Sequence, residues 1–192
     1  MALLRALRMG LGVALCLSAI SCGGGGGGGG GTTTPPPPPP TVNTTSVIVD
    51  QGPATGNGSV NTLFTSVTVC VPGSTASCQT IDHIQVDTGS YGLRLLAPAL
   101  TLTLPVETLS NGNSLLECTQ FVDGYSWGPV ASADLTIAGE TAKSLPVQVI
   151  GDSRFTTVPS TCSSTGTQED TVAKFGANGI LGIGPFQLDC GD

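Results

Sequence analysis

Charge is scarce in this sequence. Only 10% of its 192 residues are Asp, Glu, Lys or Arg. Positive charge is scarcest, with 6 Lys and Arg against 13 Asp and Glu and a net charge of −7. Binding to nucleic acid or to anionic lipid headgroups needs a basic patch, so neither is expected. There is one His and no Cys-x-x-Cys, too little for a zinc site, and no metal is expected. No Gly-x-Ser-x-Gly elbow is present, which argues against a serine hydrolase triad. The nine-glycine run has neither a Lys nor a strand–helix pattern behind it. It is therefore no phosphate loop, and no cofactor is implied. No apolar run approaches the roughly 20 residues of a membrane-spanning helix. Aromatics make up 4% of the chain, yet 39% of residues are apolar, too many for general disorder.

Glycine and proline are abundant instead, 28 and 14 residues, with Gly23 to Gly31 and Pro35 to Pro40 unbroken. Ahead of them, Arg5 and Arg8 precede an apolar run of ten residues, Leu11 to Ile20, the pattern of a secretory signal over 1–21. The run closes on Ala19-Ile20-Ser21-Cys22, which resembles a bacterial lipobox with Ala where the strongest ones carry Leu. That resemblance implies lipidation of Cys22, simple secretion after Ser21 being the other reading. Gly23 at the next position implies the outer membrane. The expected location is the bacterial cell envelope, lipid-anchored and facing the periplasm or the cell surface, with membrane contact through the N-terminal lipid only. Removing the signal leaves four cations against 13 acids, a net charge of −9. Residues 22–43 read as a flexible tether. Nine glycines span about 17 Å as a coil and six prolines about 19 Å as polyproline II. The remaining 44–192 has the size of one domain.

Seven cysteines are present. With Cys16 in the signal and Cys22 acylated, five are left, an odd number in an oxidising compartment. Cys70 and Cys78 flank a turn-rich segment and are expected to bridge a hairpin. Cys118 with Cys162 is the next pairing. Cys190 is then without a partner, and its natural partner is expected outside this chain, with the domain incomplete at its C-terminus. Val- and Thr-rich alternation marks strands over 46–50, 62–71, 78–86, 92–96, 115–122, 130–137 and 144–150. Turn pairs such as Pro72-Gly73 and Asp123-Gly124 separate them. The fold class is all-β, a barrel or sandwich, with helix-prone stretches only at 96–100 and 169–175. Asn57-Gly58-Ser59 would be a glycosylation acceptor only on a eukaryotic secretory path.

The most informative string is Ile84-Gln85-Val86-Asp87-Thr88-Gly89-Ser90. A strand runs into a carboxylate and then into a tight turn of small residues. Thr88, Ser90 and the Gly89 amide can donate hydrogen bonds to that acid, and such donors favour its ionised form. His83 lies four residues earlier and projects from the same strand face. It reads as a surface or interface residue.

Asp87-Thr88-Gly89-Ser90, followed by Leu93, Leu95 and Leu96, resembles the active-site loop of pepsin-like and retroviral-type aspartic proteases. Tyr125-Ser126-Trp127-Gly128 resembles the flap of that superfamily, and Gly179-Ile180-Leu181-Gly182-Ile183-Gly184 resembles its hydrophobic-hydrophobic-Gly segment. The resemblance covers about 60–184 and corresponds to one N-terminal lobe of a two-lobed enzyme. The chain is also similar to an uncharacterised domain-of-unknown-function family of proteobacterial lipoproteins. The resemblance implies Asp87 as one of two catalytic carboxylates, oriented by Thr88, Gly89 and Ser90. It further implies Tyr125, Trp127 and Gly128 in a flap over the peptide, and Ile180, Leu181 and Gly182 in a strand beside the catalytic loop. Two departures stand out. Arg94 occupies the place of a Trp that the flap Tyr can bond, and no second Asp-Thr/Ser-Gly exists in the sequence. Aspartic proteases share a proton between two carboxylates, so hydrolysis requires a second lobe or a second copy. The expected function is a cell-envelope aspartic peptidase. The alternative is a non-catalytic lipoprotein that binds a peptide or protein on the same fold.

Overall fold

The computed structural model describes residues 43–56 and 58–185. The signal segment, Cys22, the tether up to residue 42, Asn57 and Cys190 lie outside the described residues.

The described chain is almost entirely β-sheet. Its strands are β1 (Ile48–Asp50), β2 (Thr62–Cys70), β3 (Cys78–Asp87), β4 (Tyr91–Leu96), β5 (Leu116–Gln120), β6 (Gly124–Ile137) and β7 (Glu140–Ile150), then β8 (Thr167–Gln168) and β9 (Gly179–Ile183). Single helical turns, α1 (Ser160–Ser163) and α2 (Val172–Phe175), flank β8, and Ala97–Ala99 forms a 3-10 turn. The strand order β2-β3-β9-β4-β7-β6 closes because β6 also pairs with β2, giving a six-stranded barrel. Closure removes most of the free edges that an open sheet exposes.

Alternation decides what fills the barrel. Phe64, Val67, Val69, Ile81, Ile84, Leu93, Leu95, Ala131, Ala133, Leu135, Val147 and Val149 are all buried. Fully burying each large side chain stabilises by about 1.5–3 kcal/mol. With few aromatics, this core is aliphatic throughout.

Two strands depart from the expected boundaries for one reason. Strand β6 begins at Gly124 rather than at 130, and its first half leaves the barrel to pair with β5 while its second half pairs with β7 and β2. The expected flap segment is therefore the front half of a single 14-residue strand. Strand β7 likewise starts four residues early, because Thr141 and Ala142 pair with Thr136 and Leu135 across the turn. The helix-prone stretches shrink to the 3-10 turn and to α2. The latter is capped by the Thr171 hydroxyl, which accepts from the Lys174 amide at 3.2 Å, and Gly176 stops it in the left-handed region.

Both expected disulfides are formed. Cys70–Cys78 closes the β2–β3 hairpin. Cys118–Cys162 ties β5 to α1 across 44 residues.

Candidate functional site

Asp87 is the last residue of β3, half-buried and in register with Gly182 of β9. Strand β9 runs parallel to β3 on one side and antiparallel to β4 on the other. Two strands consecutive in sequence are thus separated by a third, and the loop 88–90 arches over β9. The Gly184 amide donates to the Ser90 carbonyl at 2.9 Å and fastens this crossing. Only glycine fits beneath the arch. A Cβ at Gly182 would overlap the Tyr91 amide nitrogen and the Ser90 carbonyl carbon. That steric demand is the physical reason for glycine at this position beside Ile180 and Leu181.

Of the three donors expected around Asp87, one is engaged. The Gly89 amide donates to Asp87 Oδ1 at 2.9 Å, an Asx turn. Thr88 is exposed. Ser90 is 6% exposed, and its Oγ is buried with no hydrogen-bond partner. The turn aims the main chain at the carboxylate and both hydroxyls elsewhere, so the expectation that Thr88 and Ser90 hydrogen-bond to Asp87 does not hold here.

A cleft of about 300 Å³ opens beside Asp87. Its walls are Gln85 of β3, Ile180 of β9 and Phe175 of α2, with Phe121, Val122 and Asp123 at the tip of the β5–β6 hairpin. Glu169 and Lys174 complete the lining. Phe121 and Phe175 meet edge to face at 6.2 Å. The Phe121 amide donates to the Gly124 carbonyl at 2.8 Å and tightens the tip, and Val122 is fully exposed on it.

The hairpin residues that reach the cleft are not those expected. Tyr125 and Trp127 point to the opposite face, where both are 7% exposed and pack on the Cys118–Cys162 bridge. Trp127 Nε1 donates to the Phe155 carbonyl at 3.0 Å, and Tyr125 Oη lies 3.5 Å from Gln168 Oε1. Neither lines the cleft. Gly128 sits deeper still, where a Cβ would overlap the Val149 carbonyl of β7. Strand alternation explains the outcome. The same face carries residues 125 and 127, and the disulfide claims that face.

Arg94 does not reach Tyr125. Its guanidinium, on a residue 2% exposed, donates from Nε to Thr119 Oγ1 at 2.9 Å and from Nη2 to Glu117 Oε1 at 3.2 Å. A third bond runs from Nη1 to the Tyr91 carbonyl at 2.8 Å. Gln148 Nε2 donates to the Glu117 carbonyl at 2.8 Å and Ser126 Oγ to Gln148 Oε1 at 3.0 Å. This buried polar network fastens the hairpin to the barrel through β5, in place of an aromatic contact through β6.

The cleft is electrostatically uneven. Burial, and then the neighbouring Asp123 carboxylate, push the Glu169 carboxyl above its ordinary range. Lys174 Nζ is held by Asp170 Oδ1 at 2.8 Å. Sequence reasoning missed Glu169, Phe121 and Phe175, which stand 34 to 88 residues from Asp87 in the chain and carry no local motif. His83 does not line the cleft. It sits at a bulge in β3 with φ 49°, out of the alternation that would align it with Asp87, and lies 3.2 Å from Asp50 Oδ2. Among the described residues, no three His, Cys, Asp or Glu side chains converge to hold a metal.

No curated protein matches the chain. The sequence model of the family described as Protein of unknown function (DUF3443) matches residues 39–192, most of the chain and all of the described barrel, and the chain belongs to that family.

Proposed function

We propose that this domain is an aspartic-peptidase-like lobe of a lipid-anchored cell-envelope protein, with Asp87 as one of two catalytic carboxylates. The observation that carries the reading is the passage of β9 between β3 and β4 directly beneath the Asp87 loop. Such a passage supports the ψ-shaped crossing that the resemblance to pepsin-like and retroviral-type proteases implies. A hairpin tip over the adjoining cleft supports the same reading, as does the buried, unpartnered Ser90 hydroxyl in the loop that follows Asp87. A buried polar group without a partner calls for a functional reason.

In this reading Asp87, ionised, accepts a proton from the attacking water. A second, protonated carboxylic acid donates to the scissile carbonyl, so that the two carboxyl groups share one proton. The second carboxylate comes from another part of the natural protein or from a second copy of the chain. The substrate is a peptide or protein, and the anchor is a lipid on Cys22. Asp87→Asn in the full-length exported protein should lower peptide turnover at least about a hundredfold with an unchanged melting temperature. Equal cleavage by that variant would sink the reading.

The presence of a single Asp-Thr-Gly in the sequence favours a second reading, a binding protein on the same fold. It predicts peptide binding without turnover, and binding that survives Asp87→Asn.

A further inference from the structure

The cleft beside Asp87 combines apolar walls with unbalanced charge. Phe121, Phe175 and Ile180 form the walls, while Asp87, Asp123 and Glu169 supply three carboxyl groups against the single ammonium of Lys174. That ammonium is already engaged by Asp170 at 2.8 Å. The Glu169 carboxyl makes no hydrogen bond or ion pair among the described residues, and it lies against the tip end of the hairpin. A Cβ at Gly124 would stand 2.9 Å from Glu169 Oε1. The absent side chain at 124 is what lets Glu169 pack there, beside Asp123 of the tip. A volume of about 300 Å³ is at the small end for ligand cavities and suits one side chain.

We propose that this pocket receives a lysine or arginine side chain of a bound peptide, with Glu169 as the specificity-determining carboxylate. The inference rests on the reading of the Asp87 cleft as a peptide groove. The aliphatic stem would lie along Phe121, Phe175 and Ile180 and the cationic head would reach Glu169 and Asp123, the split that long basic side chains favour. A charge-assisted bond formed away from bulk water is stronger than its exposed counterpart. A norleucine side chain fills the same walls but leaves the carboxyl groups unpaired, and a glutamate side chain is repelled.

The groups around Glu169 are Asp123 on the hairpin, Asp87 on β3, and Asp170 and Lys174 at α2, while Tyr125 of β6 acts on Lys174. The balance of burial and Asp123 favours its neutral form, so the basic preference should grow as pH rises through the elevated Glu169 pKa and fade below it.

The test uses the full-length protein and fluorescein-labelled hexapeptide mixtures, each with one central position set as lysine, norleucine or glutamate and the others randomised. At pH 7, anisotropy should show the lysine mixture binding about tenfold more tightly than the norleucine mixture, the scale of one charge-assisted contact. Glutamate should bind weakest. Glu169→Gln should bring lysine and norleucine within about twofold of each other, and Asp123→Asn, on an exposed turn, should narrow the gap in part. Equal binding of lysine and norleucine by the unmodified protein, or a gap unchanged in both variants, overturns the pocket assignment and leaves the peptide groove standing. Failure of every mixture to bind overturns the groove, and this inference with it.

Discussion

Ser90 and Asp87 illustrate opposite uses of a polar group. Asp87 keeps one backbone donor and stays open to a cleft, whereas Ser90 is enclosed with nothing to bond. Leaving a buried hydroxyl unpaired costs about 1–3 kcal/mol. Ser90→Ala should therefore leave the barrel as stable as before, or more stable by about 1 kcal/mol, as read by chemical denaturation. Peptide turnover or binding should weaken in the same variant if the hydroxyl serves the Asp87 carboxylate. A clear loss of stability would mean that Ser90 has a structural partner. Arg94 is the contrasting case, a buried cation with hydrogen bonds to the hairpin and to its own strand. The resemblance set Arg94 in the place of a Trp that the flap Tyr can bond, but no local pattern records its bonds to Thr119 and Glu117 of β5.

The hairpin of β5 and β6 is held from two sides, by the Arg94 and Gln148 network and by the Cys118–Cys162 bridge. The Cys70–Cys78 bridge closes only a tight hairpin eight residues apart. In a chain-entropy account the longer loop contributes about 4 kcal/mol and the shorter about 2.5 kcal/mol. The Cys118→Ser/Cys162→Ser double variant should thus melt several degrees below the Cys70→Ser/Cys78→Ser one. The reverse order in calorimetry would refute this view of the hairpin.

The irregularity in the β6–β7 ladder centres on Asp134, which accepts from the Ser144 amide at 2.8 Å, the Gly73 amide of the β2–β3 turn at 3.0 Å and Lys143 Nζ at 3.0 Å. Those donors, the Ser144 amide foremost, lower its pKa from 3.8 to about 2. A carboxyl group more acidic when folded than unfolded contributes stability above pH 3.8 and loses it as pH falls toward 2. Asp134→Asn should be less stable at neutral pH, and the gap to the unmodified protein should shrink between pH 4 and 2. A gap of constant size across that window would rule out the carboxylate as its source.

Across the whole molecule, the barrel positions the candidate site and the N-terminal segment sets the proposed address. Metabolic labelling with radioactive palmitate should mark the full-length protein in a bacterial host, and Cys22→Ala should lose the label and leave the membrane fraction. Retention of both would refute lipidation at that residue. The proposed catalysis needs a second carboxylate. Sedimentation of the full-length protein would test whether a second copy supplies it, because a monomer that cleaves peptides must carry both groups itself.

Period-2 alternation, turn pairs and cysteine spacing determined the all-β class, most strand positions and the Cys70–Cys78 bridge, because these follow from contacts between near neighbours in the chain. The Cys118–Cys162 pairing, which joins residues 44 apart, followed only as the next pairing left. The Asp-Thr-Gly-Ser string and the Gly-Ile-Leu-Gly segment marked the two strands that meet at Asp87, since each is a local signature. Tertiary structure alone decided that the tip residues 121–123, and not Tyr125 and Trp127, line the cleft. Alternation offers two equivalent faces, and the Cys118–Cys162 bridge takes the one that bears Tyr125 and Trp127. It also decided that Glu169 stands beside Asp87. Strand β8 brings it there by pairing with Gly124 and Tyr125, a contact between residues more than forty positions apart that no local pattern records.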